Sequence, residues 1–126
     1  ALAAWLKQRP EVARVLHPAL EGSPGHEHWR ATCGPEGAAA GLFSIMFHER
    51  YGFEQVDAFC DALKLFKLGY SWGGPVSLVV PYDLATMRTA ASRAGLARGP
   101  LVRFAIGLEA VEDLRRDLEQ ALPALA

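Results

Sequence analysis

Leu101-Val102-Arg103-Phe104-Ala105-Ile106, followed by Gly107-Leu108-Glu109-Ala110 and then by the run from Val111 to Leu122, is the stretch on which the fold turns. Side chains of a strand alternate between its two faces, so Val102, Phe104 and Ile106 share one face, and Arg103 points the other way with Leu101 and Ala105. The apolar face requires a cover. The next segment supplies one: Val111, Leu114, Leu118 and Leu122 recur at helical spacing and are expected to face inward. Glu112 and Arg116, and Arg115 and Glu119, are spaced for i,i+4 support on the outer side of that helix.

Upstream, the pattern repeats. Leu42 to His48 reads as a strand with Phe43, Ile45 and Phe47 on one face. Phe53 to Phe66 reads as a helix whose stripe is Phe53, Val56, Phe59, Cys60, Leu63 and Phe66, with Asp57, Asp61 and Lys64 toward solvent and Gly69 as an end signal. Val76 to Val80 is expected to be a strand stopped by Pro81. Residues 83–99 are a poorly patterned connection, partly helical near Ala85 to Ala94. Toward the start, residues 2–9 form a helix halted by Pro10, Val12 to Leu16 a short strand, and His26 to about Ala31 a short helix. Cys33 to Gly41, rich in Gly and Ala, is expected to be a mobile loop. The resulting order, helix-strand-helix-strand-helix-strand-strand-helix, fits a single α/β domain of two layers over residues 1–126: one mixed sheet with helices mainly on one face.

The bulk numbers exclude several classes. A chain of 126 residues with 51% hydrophobic residues has enough material for one core. Thirteen basic against fourteen acidic residues leave a net charge of −1, which offers no footprint for nucleic acid or an anionic membrane. No apolar run reaches the roughly 18 residues that a membrane helix needs. Cys33 and Cys60 are isolated and outside any CxxC pattern, so they are expected to be free thiols of a cytoplasmic protein. The chain begins in helical pattern without a methionine, which is the look of a piece of something longer.

Few residues offer chemistry. Arg103, near the middle of its strand on the side away from the core, is either a solvated charge or a fork for a carboxylate. Tyr70-Ser71-Trp72-Gly73-Gly74 either presents a stacking surface with open backbone N–H groups or is a relaxed turn with Trp72 capping the core. His26 and His28 lack further ligands at zinc spacing, and His17 and His48 stand on unrelated elements, so they read as helix-entry residues and no metal is expected. Ser44 and Ser77 fall within expected strands and no GxSxG elbow exists. The three lysines, Lys7, Lys64 and Lys67, fall on expected helices or at their ends, so none is an evident Schiff-base lysine.

Four stretches then carry a resemblance: Arg9 to Trp29 (RPEVARVLHPALEGSPGHEHW), Gly41 to Phe47 (GLFSIMF), Phe66 to Asp83 (FKLGYSWGGPVSLVVPYD) and Leu101 to Leu122 (LVRFAIGLEAVEDLRRDLEQAL). In that order and spacing they resemble the Cys/Met-metabolism pyridoxal-phosphate enzymes, and within them the cystathionine β-lyase branch. The resemblance implies the smaller C-terminal domain of the aspartate-aminotransferase-like fold, with the large cofactor domain absent from this chain. It implies that Arg103 binds the substrate α-carboxylate and that Ser71, Trp72 and Tyr70 line the substrate pocket beside it. It also implies pyridoxal 5'-phosphate in the full-length enzyme but none on this chain alone, a sulfur amino acid as substrate, and a homotetramer. The reaction implied is carbon–sulfur β-elimination in methionine metabolism, cystathionine giving homocysteine, pyruvate and ammonia. Trp72 is the position that favours the β-lyase branch over γ-lyase, γ-synthase and methionine γ-lyase, while a non-catalytic binding or assembly module is the reading from another class.

Overall fold

Phe104 lies opposite Phe43 on one side and Val79 on the other, which puts the strand that carries it at the centre of the sheet. The computed structural model describes residues 1–83 and 99–126. Five strands are formed: β1 (Val12–Leu16), β2 (Leu42–Phe47), β3 (Lys67–Leu68), β4 (Leu78–Tyr82) and β5 (Leu101–Ala105), in the order β1-β2-β5-β4-β3. The pairs are antiparallel except β3 with β4, so the sheet is mixed. The helices are α1 (Leu2–Lys7), α2 (His26–Thr32), α3 (Phe53–Ala62) and α4 (Val111–Ala121), the last followed by a 3-10 turn at Leu122–Leu125.

One face of the sheet is the core face that alternation requires. Phe43, Ile45 and Phe47 of β2, Val79 of β4, and Val102 and Phe104 of β5 join Leu6 of α1, Val56 and Phe59 of α3, and Leu114 and Leu118 of α4 in one buried cluster. Phe104 is gripped by two aromatic neighbours, Phe43 at 5.5 Å and Phe66 at 5.3 Å between ring centroids. Such tilted and edge-on contacts suit the ring quadrupole. α2 contributes no buried residue. The helical layer that covers the core is therefore α1, α3 and α4 on one side.

The structure corrects several expectations. α3 ends at Ala62 rather than Phe66, because Asp117 of α4 captures the next backbone: its carboxylate accepts the N–H groups of Lys64, Leu65 and Phe66 at 2.8, 2.7 and 3.2 Å. Leu63 turns to an extended ψ of 136°, yet Leu63 and Phe66 still point into the core. Freed from the helix, the chain makes β3, so Lys67 lies on a strand. Phe53 and Val111, expected inside, are exposed at the first turns of their helices. β4 starts two residues late and runs through Pro81, which pairs with Val102. Proline is tolerated there because, among the described residues, β3 covers only the first two residues of β4 and leaves the rest an edge. Ser77 consequently lies just before the strand.

On the outside of α4, Arg115 meets Glu112 at 2.8 Å and Glu119 at 3.8 Å, while Arg116 pairs with Asp113 at 3.5 Å instead of Glu112. The segment after α2 is more ordered than its glycines suggest: a 3-10 turn spans Gly34–Glu36, and Trp29 Nε1 donates to the Ala38 carbonyl at 2.8 Å. The partly helical stretch expected near Ala85 to Ala94 lies outside the described residues. Cys33 and Cys60 are both free. Among the described residues no helix is long and apolar enough to cross a membrane.

Candidate functional site

Strand alternation delivers Arg103 to the face opposite the core, with Ser44 on one side and Val80 on the other in register. The side chain is half-buried, and its Nη2 donates to the Tyr70 carbonyl oxygen at 2.6 Å. Its guanidinium carbon lies 5.7 Å from the Trp72 ring centroid and 5.8 Å from that of Tyr82. Tyr70 and Tyr82 meet edge to face, 6.4 Å between centroids. The result is a cation in an aromatic bracket. Among the described residues no carboxylate pairs with it.

That arrangement has a chemical meaning. A guanidinium stacks on aromatic faces with its plane and recognises anions with its edge. Among the described residues, the aromatic rings and one carbonyl satisfy part of it and leave donor N–H groups for a planar, bidentate anion such as a carboxylate. The geometry suits the fork reading of Arg103, with its side chain held against Tyr70, Trp72 and Tyr82 rather than free in solvent.

The loop from Tyr70 to Val76 is exposed throughout, with Tyr70 at 74% and Trp72 at 62% of their free exposure. Trp72 therefore does not cap the core. Gly73 takes a φ of 75°, left-handed backbone that glycine adopts without strain, and turns the chain directly after Trp72. Ser71 stands between the two aromatics, and its side chain makes no hydrogen bond to the described residues. Of the four residues singled out in the sequence, Arg103, Tyr70 and Trp72 are brought into contact, and Ser71 shares only their loop.

Two features escaped the sequence reading. Tyr82 was hidden by the assumption that Pro81 ends the strand; its parity with Val80 would have placed it on the Arg103 face. The second is a polar clamp at the other end of the loop. Ser77, fully buried, donates its N–H to Glu109 Oε2 at 2.9 Å and its hydroxyl to Glu109 Oε1 at 2.8 Å, and its Oγ accepts the Gly107 N–H at 2.8 Å. Burial works to raise the Glu109 carboxyl, but the hydrogen bonds from Ser77 and from its own backbone outweigh it and hold the group below its ordinary range.

The remaining candidates resolve as structural. His26 Nδ1 lies 2.8 Å from the Pro18 carbonyl and its ring stacks on Trp29, tying down the entry of α2. Among the described residues no group of three or more His, Cys, Asp or Glu side chains could hold a metal. No lysine amine stands at the Arg103 cluster. Lys7 Nζ donates to Glu21 O and Lys67 Nζ to Lys64 O, both at 2.8 Å, Lys64 is exposed beyond α3, and none contacts the Arg103 cluster.

Comparison with known proteins shows the family. The chain is 42% identical over 121 residues to the cystathionine beta-lyase of Salmonella typhimurium, a match that covers 93% of this chain and 29% of that enzyme. It is 36% identical to the L-alanine/L-glutamate racemase of Wolbachia pipientis over 98% of this chain and 30% of that protein. The crystal structure of metB from Corynebacterium glutamicum superposes with a TM-score of 0.76 at 40% identity, over 99% of this chain and 31% of that one. The chain thus spans less than a third of the length of these relatives. The family model for Cys/Met metabolism PLP-dependent enzymes matches residues 1–123, and the chain belongs to that family.

Proposed function

We propose that this chain is the C-terminal, substrate-carboxylate-binding domain of a pyridoxal-phosphate-dependent carbon–sulfur β-lyase that acts on cystathionine. The observation that carries the reading is the Arg103 guanidinium, bracketed by Trp72 and Tyr82 and without a carboxylate partner among the described residues. An amino-acid substrate carries the group such a fork recognises, an α-carboxylate, and cystathionine carries one at each end, the one on the carbon being deprotonated belonging to this grip. A grip through two N–H···O bonds fixes the rotation of the amino acid and so the direction of its Cα–H bond, which is a contribution of orientation.

Pyridoxal phosphate would supply the electron sink of the elimination, and it is assigned, with its lysine, to the large domain of the parent chain. This chain contributes the carboxylate grip and the walls of the pocket. Trp72, exposed and beside Arg103, is proposed to pack against the substrate next to its acid group; the β-lyase branch is supported by the Salmonella relative's name. In the full-length enzyme cystathionine and water would give homocysteine, pyruvate and ammonia. The parent is proposed to be a cytoplasmic homotetramer, and this chain alone is proposed to be inactive.

The test is product analysis. Full-length enzyme given cystathionine is expected to release pyruvate and homocysteine. Release of 2-oxobutyrate and cysteine would overturn β-elimination and leave a γ-lyase.

A further inference from the structure

We propose that Glu109 is a positioning residue for this site: its carboxylate anchors the far end of the Tyr70–Val76 loop to the end of β5, and so sets where Trp72 stands over Arg103. The proposal rests on the carboxylate-binding reading and adds to it a residue that never meets the substrate.

The loop has little else to hold it. Residues 70–76 are all exposed, and apart from the contacts of Tyr70 with Tyr82 and Trp72 with Arg103 their path is fixed at its two ends. At its start the loop is tied to β5 by Arg103 Nη2 on the Tyr70 carbonyl. At its end both oxygens of Glu109 are taken by Ser77, and Ser77 Oγ in turn accepts the Gly107 N–H. The Leu108 N–H donates to the Pro75 carbonyl at 2.8 Å, a parallel tie between the same two segments. The segments approach so closely that a Cβ on Gly107 would run into the Pro75 carbonyl. Arg103 and this clamp thus grip the two ends of one loop from one strand and its exit. Trp72 stands between them.

A purely local role for Glu109, as an acid at the start of α4, is not what the geometry shows. The N-cap Ala110 makes no side-chain cap bond, and beside the bond to its own backbone both Glu109 oxygens accept from Ser77. The depressed carboxyl means the clamp is charged at neutral pH and is released only in acid.

The experiment uses the full-length enzyme, with Glu109→Ala, Glu109→Gln, Ser77→Ala and Arg103→Lys compared on cystathionine. Glu109→Ala is expected to raise KM about tenfold, the size of one lost charge-assisted hydrogen bond, with kcat within about threefold of the parent. Glu109→Gln keeps an acceptor for the Ser77 N–H and is expected to recover part of the affinity, and Ser77→Ala to fall between. A merely structural role would lower thermal stability without this split between KM and kcat and without the partial rescue. Should Glu109→Ala fail to fold, Glu109→Gln and Ser77→Ala carry the comparison. KM within twofold of the parent in every folded Glu109 and Ser77 variant overturns the clamp; if Arg103→Lys still raises KM more than tenfold, the carboxylate site itself stands. No effect of Arg103→Lys overturns both.

Discussion

The guanidinium of Arg103 is held at 2.6 Å by the backbone oxygen of Tyr70, a neutral acceptor. That relationship matters because a carbonyl orients the fork without cancelling its charge. A carboxylate in the same place would have closed the site; a carbonyl leaves it attractive to an incoming anion.

Trp72 extends the argument to affinity. A ring 5.7 Å from an accessible cation contributes about 0.5–1 kcal/mol, or roughly two- to fivefold in binding. Trp72→Ala is therefore expected to raise KM by at least that factor, more if the ring also packs on substrate, and Trp72→Phe to restore part of it. Steady-state kinetics of the full-length enzyme read both, and an unchanged KM in Trp72→Ala would remove the ring from the site.

Asp117 supports the site from behind. Its carboxylate accepts three successive backbone N–H groups and places Phe66 against Phe104, the neighbour of Arg103. Loss of a buried charged acceptor with several donors costs about 3 kcal/mol. Asp117→Ala is expected to lower the urea midpoint accordingly, Asp117→Asn by less. A change below about 0.5 kcal/mol would mean that the segment 64–66 holds its path unaided.

These two residues mark what the sequence could and could not show. Alternation in β5 and β2 and the stripe of α4 made the sheet, its helical layer and the outward aim of Arg103 legible, because periodicity reports burial directly. The end of α3 was not legible: Leu63 and Phe66 continue the helical stripe, and only Asp117, more than fifty residues later, pulls their backbone out of the helix. Tyr82 was missed for a related reason, since Pro81 reads as a stop unless one knows that β4 is an edge at that point. The clamp of Glu109 on Ser77 spans 32 residues and leaves no local pattern at all.

Cys60 allows a check of the core by chemistry. Burial first, then the charges of Asp57 and Asp61, push its thiol up to about 12 from an ordinary 9.0. The folded state therefore favours the protonated thiol, and its contribution to stability is complete below pH 9 and is lost as pH rises from 9 toward 12. At pH 8 a thiol-specific disulfide reagent is expected to modify Cys33 alone in the native chain and both cysteines in urea. Rapid native labelling of Cys60 would show that α3 does not seal against the sheet.

The most direct test of the account is the affinity of full-length enzyme for an amino-acid substrate with Arg103 changed. Losing one partner of a hydrogen-bonded charge pair that bound substrate would bury costs about 2–5 kcal/mol. Arg103→Ala should lower kcat/KM by tens to thousands at about 1.4 kcal/mol per decade, with Arg103→Lys retaining part of it as a charge without a fork. A loss below about fivefold in Arg103→Ala would contradict the assignment of this side chain to the substrate carboxylate.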